Sequence, residues 1–412
     1  DSIRYHRQMM QTAFMAMDPA TGEVKAWVGG VDFKTFKYDH ASIGTKRQVG
    51  SSIKPFLYAQ AMEERGFTPE TSIPNEAQYF EGNGWVPASR KCIGLPNVSM
   101  AGALAFSLNC ASAYLMKQVG PAQFSGFLER INIPTKVEPY PSNALGAVDL
   151  SLYEMMWGYS IFGGHGFSSK PYFISRIEDR NGNVIKRFDY SANRKEAISE
   201  VTAYNMTRML EGPVTRGTAA GLMQQLGAAE MGGKTGTTND NADAWFFGFS
   251  PQLLAGVWVG CDDRFIRIES AQGYGGTAAR PIWQSFFQKV YNDKKLGIFR
   301  DATFPKPADL NNQLFNGDVN SIIPDSLENA EGIDQGNGSA DEYSLDTTSG
   351  YLPPESKAPV DETAPAKPRK DSSKSPRIGE ANPADTVTQK KKKGFLRGIF
   401  GGKKDKENEG ND

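Results

Sequence analysis

The chain has 412 residues and a formal net charge of −1, and 39% of its residues are hydrophobic and 11% aromatic. This length suggests roughly two or three domains, and the composition suffices for a large core over part of the chain. The near-neutral charge argues against a protein that binds nucleic acid through many phosphate contacts, and the three widely spaced histidines argue against a histidine-based zinc site.

The ends of the chain and its cysteines give little information about its compartment. No apolar run approaches the length of a membrane span, and the first residues do not form a signal peptide, so we expect a piece of a longer protein. Cys92, Cys110 and Cys261 form no CxxC pair. Cys92 and Cys110 are either reduced or paired with each other, and the sequence leaves both possibilities open.

The first predicted elements are a β-hairpin and a helix. Residues 12–29 flank the turn-rich segment DPATG and read as two strands. In RQVGSSIKPFLYAQAME, apolar residues recur at helical spacing before Gly66, which predicts a helix over 51–65. Ser51 or Ser52 would be its N-cap, with Pro55 in the first turn.

An N-cap does not explain Lys54, because a cation in the first turn opposes the helix dipole. Side chains at i and i+3 meet on one face of a helix, so Ser51 and Lys54 are expected to lie together. A lysine amine beside a serine hydroxyl is one way to activate a nucleophile. This segment alone leaves two interpretations open, a helix cap or a nucleophile with its base.

Further helices and strands follow in order. A helix is expected after Ser99 and in PAQFSGFLERI, SLYEMMWGYSIFGG, SEVTAYNMTRMLEG and RPIWQSFFQKVY. Ser151 and Glu154 have capping-box spacing, so Glu154 is expected to cap a helix. Asn181-Gly182 predicts the turn of a second hairpin. MGGKTGT, DAWFFGFSP and LLAGVWVGC are predicted strands, which gives one α/β domain over residues 1–303.

The composition changes beyond residue 303, where Pro, Asp, Asn, Ser and Lys dominate and periodicity is lost. Residues 304–412 are therefore predicted to be a disordered, low-complexity tail. Its end, KKKKGFLRGIFGGKKDKENEGND, is a basic cluster around a few apolar residues. This cluster would be a solubilising tail or a weak contact with anionic lipid or wall polymer.

Two further polar segments carry candidate chemistry. Ser107 and Asn109 interrupt the apolar pattern AGALAFSLNCASAYLM, so they either cap a helix or face a cavity. GGKTGT offers a lysine, two hydroxyls and backbone N–H groups to one ligand. The same letters suggest a nucleotide-binding P-loop, but that motif requires a glycine where Ala228 stands.

The ordered set Ser-x-x-Lys at 51, Ser-x-Asn at 107 and Lys-Thr-Gly-Thr at 234 resembles the motif set of penicillin-binding proteins and β-lactamases. Over residues 8–292 the chain resembles the transpeptidase domain of class A, bifunctional penicillin-binding proteins. The resemblance includes DPATGEVKAWVGGVDF, ALGAVDLSLYEMMWGYSIFGGHG, GPVTRGTA and GGKTGTTNDNADAWFFGFSP. The family usually has Pro where Val49 stands, and often Val-Pro where Cys110-Ala111 follows Asn109.

The resemblance implies a fold and four catalytic residues. The fold would be α/β, an antiparallel sheet with helices on both faces and the site between the sheet and a helical lobe. Ser51 would be the nucleophile and Lys54 its base. Ser107 would relay the proton to the leaving amine, with Lys234 behind it.

The same resemblance implies substrate-binding residues. Asn109 would hold a peptide amide of the stem. Lys234, Thr235 and Thr237 would bind the terminal carboxylate, and Gly236 would let the substrate backbone approach closely. The backbone N–H groups of Ser51 and Thr237 would form the oxyanion hole.

The activity implied is D,D-transpeptidation of peptidoglycan stem peptides through a serine acyl-enzyme that β-lactams also form. The alternatives are a D,D-carboxypeptidase or β-lactamase on the same scaffold, and a β-lactam-sensing domain without turnover. No metal or organic cofactor and no nucleic acid are implied. The full-length protein would be membrane-anchored with an N-terminal glycosyltransferase domain, and would act at the periplasmic face of the cytoplasmic membrane.

Other conspicuous residues are expected to be structural. His165 reads as a loop residue near a helix end, since no nucleophile requires it. Trp245, Phe246 and Phe247 read as strand core. Asp243 is expected to cap the turn into that strand or to help order the site.

Overall fold

A computed structural model describes residues 8–190, 193–238, 241–268, 270–308 and 312–328. The α-helices are, in chain order, α1 Lys54–Arg65, α2 Met100–Ala105, α3 Asn109–Val119, α4 Pro121–Arg130, α5 Leu152–Gly163, α6 Glu200–Thr215, α7 Leu222–Leu226 and α8 Arg280–Asn292. The 3₁₀ and π turns are Gly50–Ile53, Pro141–Leu145, Ala271–Gly273, Gly275–Ala279, Lys294–Leu296, Val319–Ile322 and Asp325–Leu327. In these residues no helix is both long and apolar enough to cross a bilayer.

The strands form one central sheet and several two-stranded ribbons. They are β1 Gln11–Met17, β2 Val24–Val28, β3 Arg47–Gln48, β4 Ser72–Pro74, β5 Gln78–Phe80, β6 Gly84–Val86, β7 Asn97–Ser99, β8 Asp149–Leu150, β9 Phe167–Ser169, β10 Arg176–Glu178, β11 Val184–Arg187, β12 Arg194–Glu196, β13 Gly232–Thr237, β14 Asp243–Phe249 and β15 Leu254–Gly260. The central sheet is antiparallel, in the order β13-β14-β15-β1-β2. Both predicted hairpins are present, β1–β2 and β10–β11, the second with Gly182 at φ +83°.

The alternation of side chains along β14 separates two cores. Trp245, Phe247 and Phe249 belong to the larger core, which also contains buried residues of helices α1 to α6. Phe246, on the opposite face of the same strand, packs edge-on against Trp283 of α8 in the second core. The sheet therefore has apolar residues on both faces and helices packed against each, as predicted.

Several predicted helix starts are confirmed by their caps. The Ser151 side chain accepts from the N–H of Glu154, whose carboxylate accepts from the N–H of Ser151. Glu154 also accepts from the N–H of Thr135 at 3.1 Å, so it links the α5 cap to a neighbouring loop. Ser99 likewise caps α2 by accepting from Gly102 N–H.

The start of α1 differs from the cap interpretation of the sequence. The chain first makes the 3₁₀ turn Gly50–Ile53, and neither this turn nor α1 has a side-chain cap. The Ser52 hydroxyl instead donates to the carbonyl of Val49 at 2.6 Å. The serines are therefore not N-caps, because the backbone enters α1 through residues that are already helical. Gly66 ends α1 in the left-handed region, as predicted.

The domain boundary predicted at residue 303 is wrong for the segment that follows. Phe304 and the segment 312–328, here called the C-terminal strap, pack on the larger core and bury Leu314, Phe315, Val319, Ile323 and Leu327. Arg216, just after α6, donates to the carbonyls of Asn320 and Ile323 and pairs with Asp325 and Glu328. The packed domain therefore includes residue 328. The tail prediction for 329–412 lies outside the described residues.

Candidate active site

The three sequence motifs differ from their surroundings in exposure. Between Val49 and Met62 every residue is buried except Ser51. Between Met100 and Ala113 only Ser107 and Asn109 are partly exposed, and in β13 only Thr237 is. Each motif therefore presents one or two polar residues to solvent from an otherwise buried segment.

The 3₁₀ turn that holds Ser51 packs directly against β13. Gly50 has a φ of +52°, and a Cβ atom on it would lie 2.4 Å from the carbonyl oxygen of Thr237, so this position requires glycine. The hydroxyl of Tyr159, on α5, donates to the carbonyl of Ser52 at 2.6 Å. Burial raises the pKa of Tyr159 well above its ordinary value, so the phenol stays protonated and keeps this bond.

Lys54 is fully buried, and its ammonium group reaches the second motif. Its Nζ donates to the carbonyl oxygen of Ser107 at 2.5 Å, to Ser107 Oγ at 3.2 Å and to Asn109 Oδ1 at 2.7 Å. Ser51 in the 3₁₀ turn and Lys54 at the start of α1 thus stand at i and i+3, with Lys54 bonded to the Ser-x-Asn segment.

Lys234 is also fully buried and bonds the same serine from the sheet side. Its Nζ donates to Ser107 Oγ at 3.0 Å and to the carbonyl of Thr235 at 3.0 Å. Ser107 therefore lies between two lysine amines. It has a φ of +56°, an uncommon conformation for a residue with a Cβ, and residues held in this way are frequent at active sites.

The rest of the Lys-Thr-Gly-Thr segment has mixed roles. Thr235 is buried, and its hydroxyl donates to Thr218 Oγ1 at 2.7 Å, so in this arrangement its proton is not directed at a ligand. Thr237 Oγ1 accepts from the N–H of Gly275 at 3.0 Å. Of the two threonines, only Thr237 is partly exposed.

The need for glycine at 236 has a reason other than the predicted one. A Cβ there would lie 2.8 Å from the carbonyl oxygen of Val49 and 3.0 Å from Ser52 Cβ. Gly236 therefore lets the nucleophile turn approach the strand, and the close approach of a substrate backbone at this glycine stays a prediction.

The remaining expectations concern residues beside the motifs. Cys92 and Cys110 form a disulfide with a Cα–Cα distance of 5.7 Å, and Cys110 directly follows Asn109. Cys261 is free and buried.

His165 lies in the turn after α5, with Nδ1 3.9 Å from a carboxylate oxygen of Glu200, as expected for a loop residue. Asp243 is buried and accepts hydrogen bonds from Arg47 and Trp258.

Sequence reasoning missed the residues that support the motifs. Thr218 was visible only as part of GPVTRGTA, and nothing in that pattern indicates its bond to Thr235. Gly275 and Arg47 had no distinguishing signal. In the described part of the chain, no group of three or more His, Cys, Asp or Glu residues could hold a metal ion.

The chain is similar to proteins of one known family. Residues 12–288, more than half of the chain, match the family described as the penicillin binding protein transpeptidase domain. Penicillin-binding protein 1A of Neisseria flavescens is 32% identical over 287 residues, which cover 68% of this chain and 35% of that protein. The protein of the same name from Aquifex aeolicus is 32% identical over 290 residues, 68% of this chain and 38% of that one. The chain thus spans little more than a third of these relatives.

Solved structures show the same fold. The crystal structure of penicillin-binding protein 1A from Haemophilus influenzae aligns with a TM-score of 0.63 and 24% identity, over 72% of this chain and 49% of that one. PonA1 of Mycobacterium tuberculosis, in complex with penicillin V, aligns with a TM-score of 0.60 and 24% identity, over 73% and 81% of the two chains. The chain belongs to the penicillin-binding protein transpeptidase family, as the transpeptidase domain of a class A member.

Proposed function

We propose that the chain is a peptidoglycan D,D-transpeptidase that cross-links stem peptides through an acyl-enzyme on Ser51. The observation that supports this most directly is the convergence of two buried lysines on Ser107 beside a partly exposed Ser51. A nucleophile, a base and a proton relay within one cluster are what acyl transfer requires.

Acylation follows from this arrangement. Lys54, as a neutral amine, takes the proton of Ser51 while Ser51 Oγ forms a bond to the penultimate D-Ala carbonyl carbon of a stem. Lys54 donates to three oxygens in this structure, so it loses one proton before it acts as the base, and burial and the second amine disfavour the state in which both lysines are charged. The C–N bond to the terminal D-Ala then breaks, and Ser107 passes a proton to the departing amine, with Lys234 replenishing it.

Binding and transition-state stabilisation use the neighbouring atoms. Lys234 and Thr237 hold the terminal carboxylate, with Thr235 able to join only if its hydroxyl turns from Thr218. Asn109 holds a stem amide. The backbone N–H groups of Ser51 and Thr237 stabilise the oxyanion, and the contact of Gly50 with Thr237 supports their proximity.

The acyl-enzyme is then resolved by transfer. The amine of a second stem attacks the ester carbonyl, forming a new amide and returning the proton to Ser51. A β-lactamase needs a carboxylate that activates water, and the buried Glu154 is instead engaged by Ser151 and Thr135 in the α5 cap. That engagement favours transfer over the rapid hydrolysis of a β-lactamase.

The setting follows from the substrate class. Peptidoglycan lies outside the cytoplasm, so we place the domain at the periplasmic face of the cytoplasmic membrane. The relatives named penicillin-binding protein 1A are more than twice as long as the matched region. We infer that the full-length protein carries a membrane anchor and an N-terminal glycosyltransferase domain.

The experiment is incubation of the protein with a β-lactam and, separately, with a pair of stem peptides, followed by mass spectrometry of protein and products. We expect a β-lactam adduct that persists for many minutes and a cross-linked peptide dimer. Ser51→Ala should fold and form no adduct, with turnover lower by a factor on the order of a million. Ser52→Ala is the matched control and should keep most of the labelling, since the Ser52 hydroxyl is bonded to Val49.

The outcomes separate the alternatives. Rapid return to unmodified mass with hydrolysed drug in solution would identify a β-lactamase. Stem cleavage without dimers would identify a carboxypeptidase, and an adduct without any stem turnover would identify a sensing domain. Label on Ser52 or elsewhere would contradict the assignment of the nucleophile.

A further inference from the structure

A buried ion pair crosses from the nucleophile side of the site to the sheet. Arg47 of β3 stands four residues before Ser51, and Asp243 begins β14, whose partner strand β13 carries Lys234 and Thr237. Arg47 Nε donates to Asp243 Oδ1 at 2.6 Å, and the two side chains are 8% and 4% exposed. The proposed chemistry uses neither residue.

The pair is held by its neighbours in a fixed geometry. Trp258 Nε1 donates to the same Asp243 oxygen at 2.8 Å, and the guanidinium of Arg47 lies 5.1 Å from the centre of the Trp258 ring. His40 stacks on Trp258 with ring centres 5.2 Å apart. The N–H of Asp243 donates to Thr238 Oγ1 at 2.9 Å, directly after the Lys-Thr-Gly-Thr segment.

Two further contacts lie between the ion pair and Ser51. Trp245 Nε1 donates to the carbonyl of Gln48 at 2.8 Å. Gly50 then touches the carbonyl of Thr237 so closely that no side chain fits. The chain from Arg47 to Ser51 is therefore attached to β13 and β14 at successive points, and the ion pair is the first of them.

We propose that Arg47 and Asp243 are positioning residues that set the spacing between the backbone N–H groups of Ser51 and Thr237. The proposal rests on the proposed function, in which these two N–H groups bind the oxyanion. Donors of this kind act only where the charge develops, so a displacement of about 1 Å costs on the order of 100-fold in rate. Asn109 begins α3, and Lys234 pairs with Phe247, four residues beyond Asp243 on β14, so substrate binding through these two side chains should change less than the rate constant.

A role limited to stability predicts a different result. Replacing both partners of a buried ion pair by uncharged residues is often neutral for stability, because neither charge is left unpaired. The double variant Arg47→Met/Asp243→Asn removes both charges and keeps an oxygen acceptor for Trp258. It should fold with a melting temperature near that of the wild type while its oxyanion donors are misplaced.

The test measures the acylation rate constant and the dissociation constant of the preceding complex separately, from the dependence of the acylation rate on β-lactam concentration. For Arg47→Met/Asp243→Asn we expect the rate constant to fall about 10- to 100-fold and the dissociation constant to change less than about 3-fold. The control is Arg208→Met/Glu211→Gln on α6, a second arginine–carboxyl contact at 2.6 Å, in which Arg208 also pairs with Glu230 and neither side chain belongs to the three motifs. Its acylation rate should equal that of the wild type.

An unchanged rate constant in a folded Arg47→Met/Asp243→Asn protein would overturn the proposal, as would an equal loss in the control pair. If the double variant does not fold, Arg47→Lys provides the test, because it keeps the charge and loses the planar guanidinium that bonds Asp243 and stacks on Trp258. A reduced rate constant supports the proposal and an unchanged one overturns it. Failure of the wild type to acylate on Ser51 would instead remove the proposed function, and this inference with it.

Discussion

The two ends of helix α2 use their polar groups in opposite ways. At its start, Ser99 accepts from Gly102 N–H and donates to the carbonyl of Ile322 in the C-terminal strap at 2.6 Å. Beyond its end, Ser107 takes an unfavourable φ and receives hydrogen bonds from two buried lysines. Both serines are partly exposed, but the bonds of Ser99 hold one part of the fold to another, whereas those of Ser107 join the lysines of two motifs. We therefore expect changes near the motifs to alter rates and changes in the strap to alter stability.

The largest expected effect is that of Lys54→Ala on the motif side. Without its base, Ser51 should be acylated about 10²- to 10⁴-fold more slowly, because general-base catalysis contributes that much. The rate is measured by mass spectrometry under excess β-lactam. Lys46→Ala removes an exposed lysine of the same segment and serves as the control. Equal rates for Lys54→Ala and the wild type would show that another group takes the proton.

On the strap side, we compare a chain ending at Thr303 with one ending at Glu328. The shorter chain loses six buried apolar side chains and the partners of Arg216, so its free energy of unfolding should fall by roughly 3–5 kcal/mol. The chain ending at Glu328 should unfold like the full chain. Thermal unfolding measures both. Equal melting temperatures for the two truncated chains would mean that the strap contributes no stability.

A smaller effect distinguishes the two threonines of the third motif. Thr237→Val should slow acylation by substrates that bear a carboxylate roughly 10- to 100-fold, the value of a hydrogen bond to a charged group. Its backbone N–H remains for the oxyanion, so activity should survive. Thr235→Val removes a hydroxyl already bonded to Thr218 and should cost less. The rates are compared with those toward a neutral ester, and equal losses on that ester would contradict carboxylate binding.

The smallest expected effect is a change in the pH dependence of stability. Burial raises the pKa of Glu211 to about 8. The positive charge of Arg208 lowers this pKa, and the negative charges of Glu230 and Asp318 raise it. The folded state therefore holds a proton that the unfolded state releases near its ordinary pKa of 4.5. The stability from this proton is complete below about pH 4.5 and is lost as the pH rises through about 8.

Glu211→Gln should remove this dependence. The free energy of unfolding of the wild type minus that of Glu211→Gln should therefore be lower at pH 8.5 than at pH 4.5. The exposed Glu129→Gln on α4 is the control. Acylation should be unaffected by either change. An unchanged stability profile for Glu211→Gln would show that Arg208 keeps the carboxylate ionised in the folded protein.

Much of the fold could be predicted because the signals were local. The Ser151–Glu154 capping box, the Asn181-Gly182 turn and the strand alternation around Trp245 depend on residues a few positions apart. The three motifs were found in the same way, and their order supplied the resemblance. The sequence left open a cap at Ser51 or Ser52 because a serine before an apolar run favours a cap, and a preceding 3₁₀ turn has no distinct signal.

The parts that were missed depend on distant partners. Arg47 and Asp243 are 196 residues apart, so no local pattern pairs them. The strap was missed because its composition is polar, although Leu314, Phe315, Val319, Ile323 and Leu327 recur about every four residues. That spacing indicates a packed segment even though the average composition is polar, because a few regularly spaced apolar residues suffice to pack a segment against an existing core.

The disulfide between Cys92 and Cys110 closes a covalent ring that contains Ser107 and Asn109. A ring of this size restricts the unfolded chain and favours folding by about 3 kcal/mol, independent of any contact in the folded state. No lysine or arginine lies between the two cysteines. Trypsin therefore releases the second motif in one peptide with its bridge intact, and reduction adds the mass of two hydrogens to that peptide without dividing it.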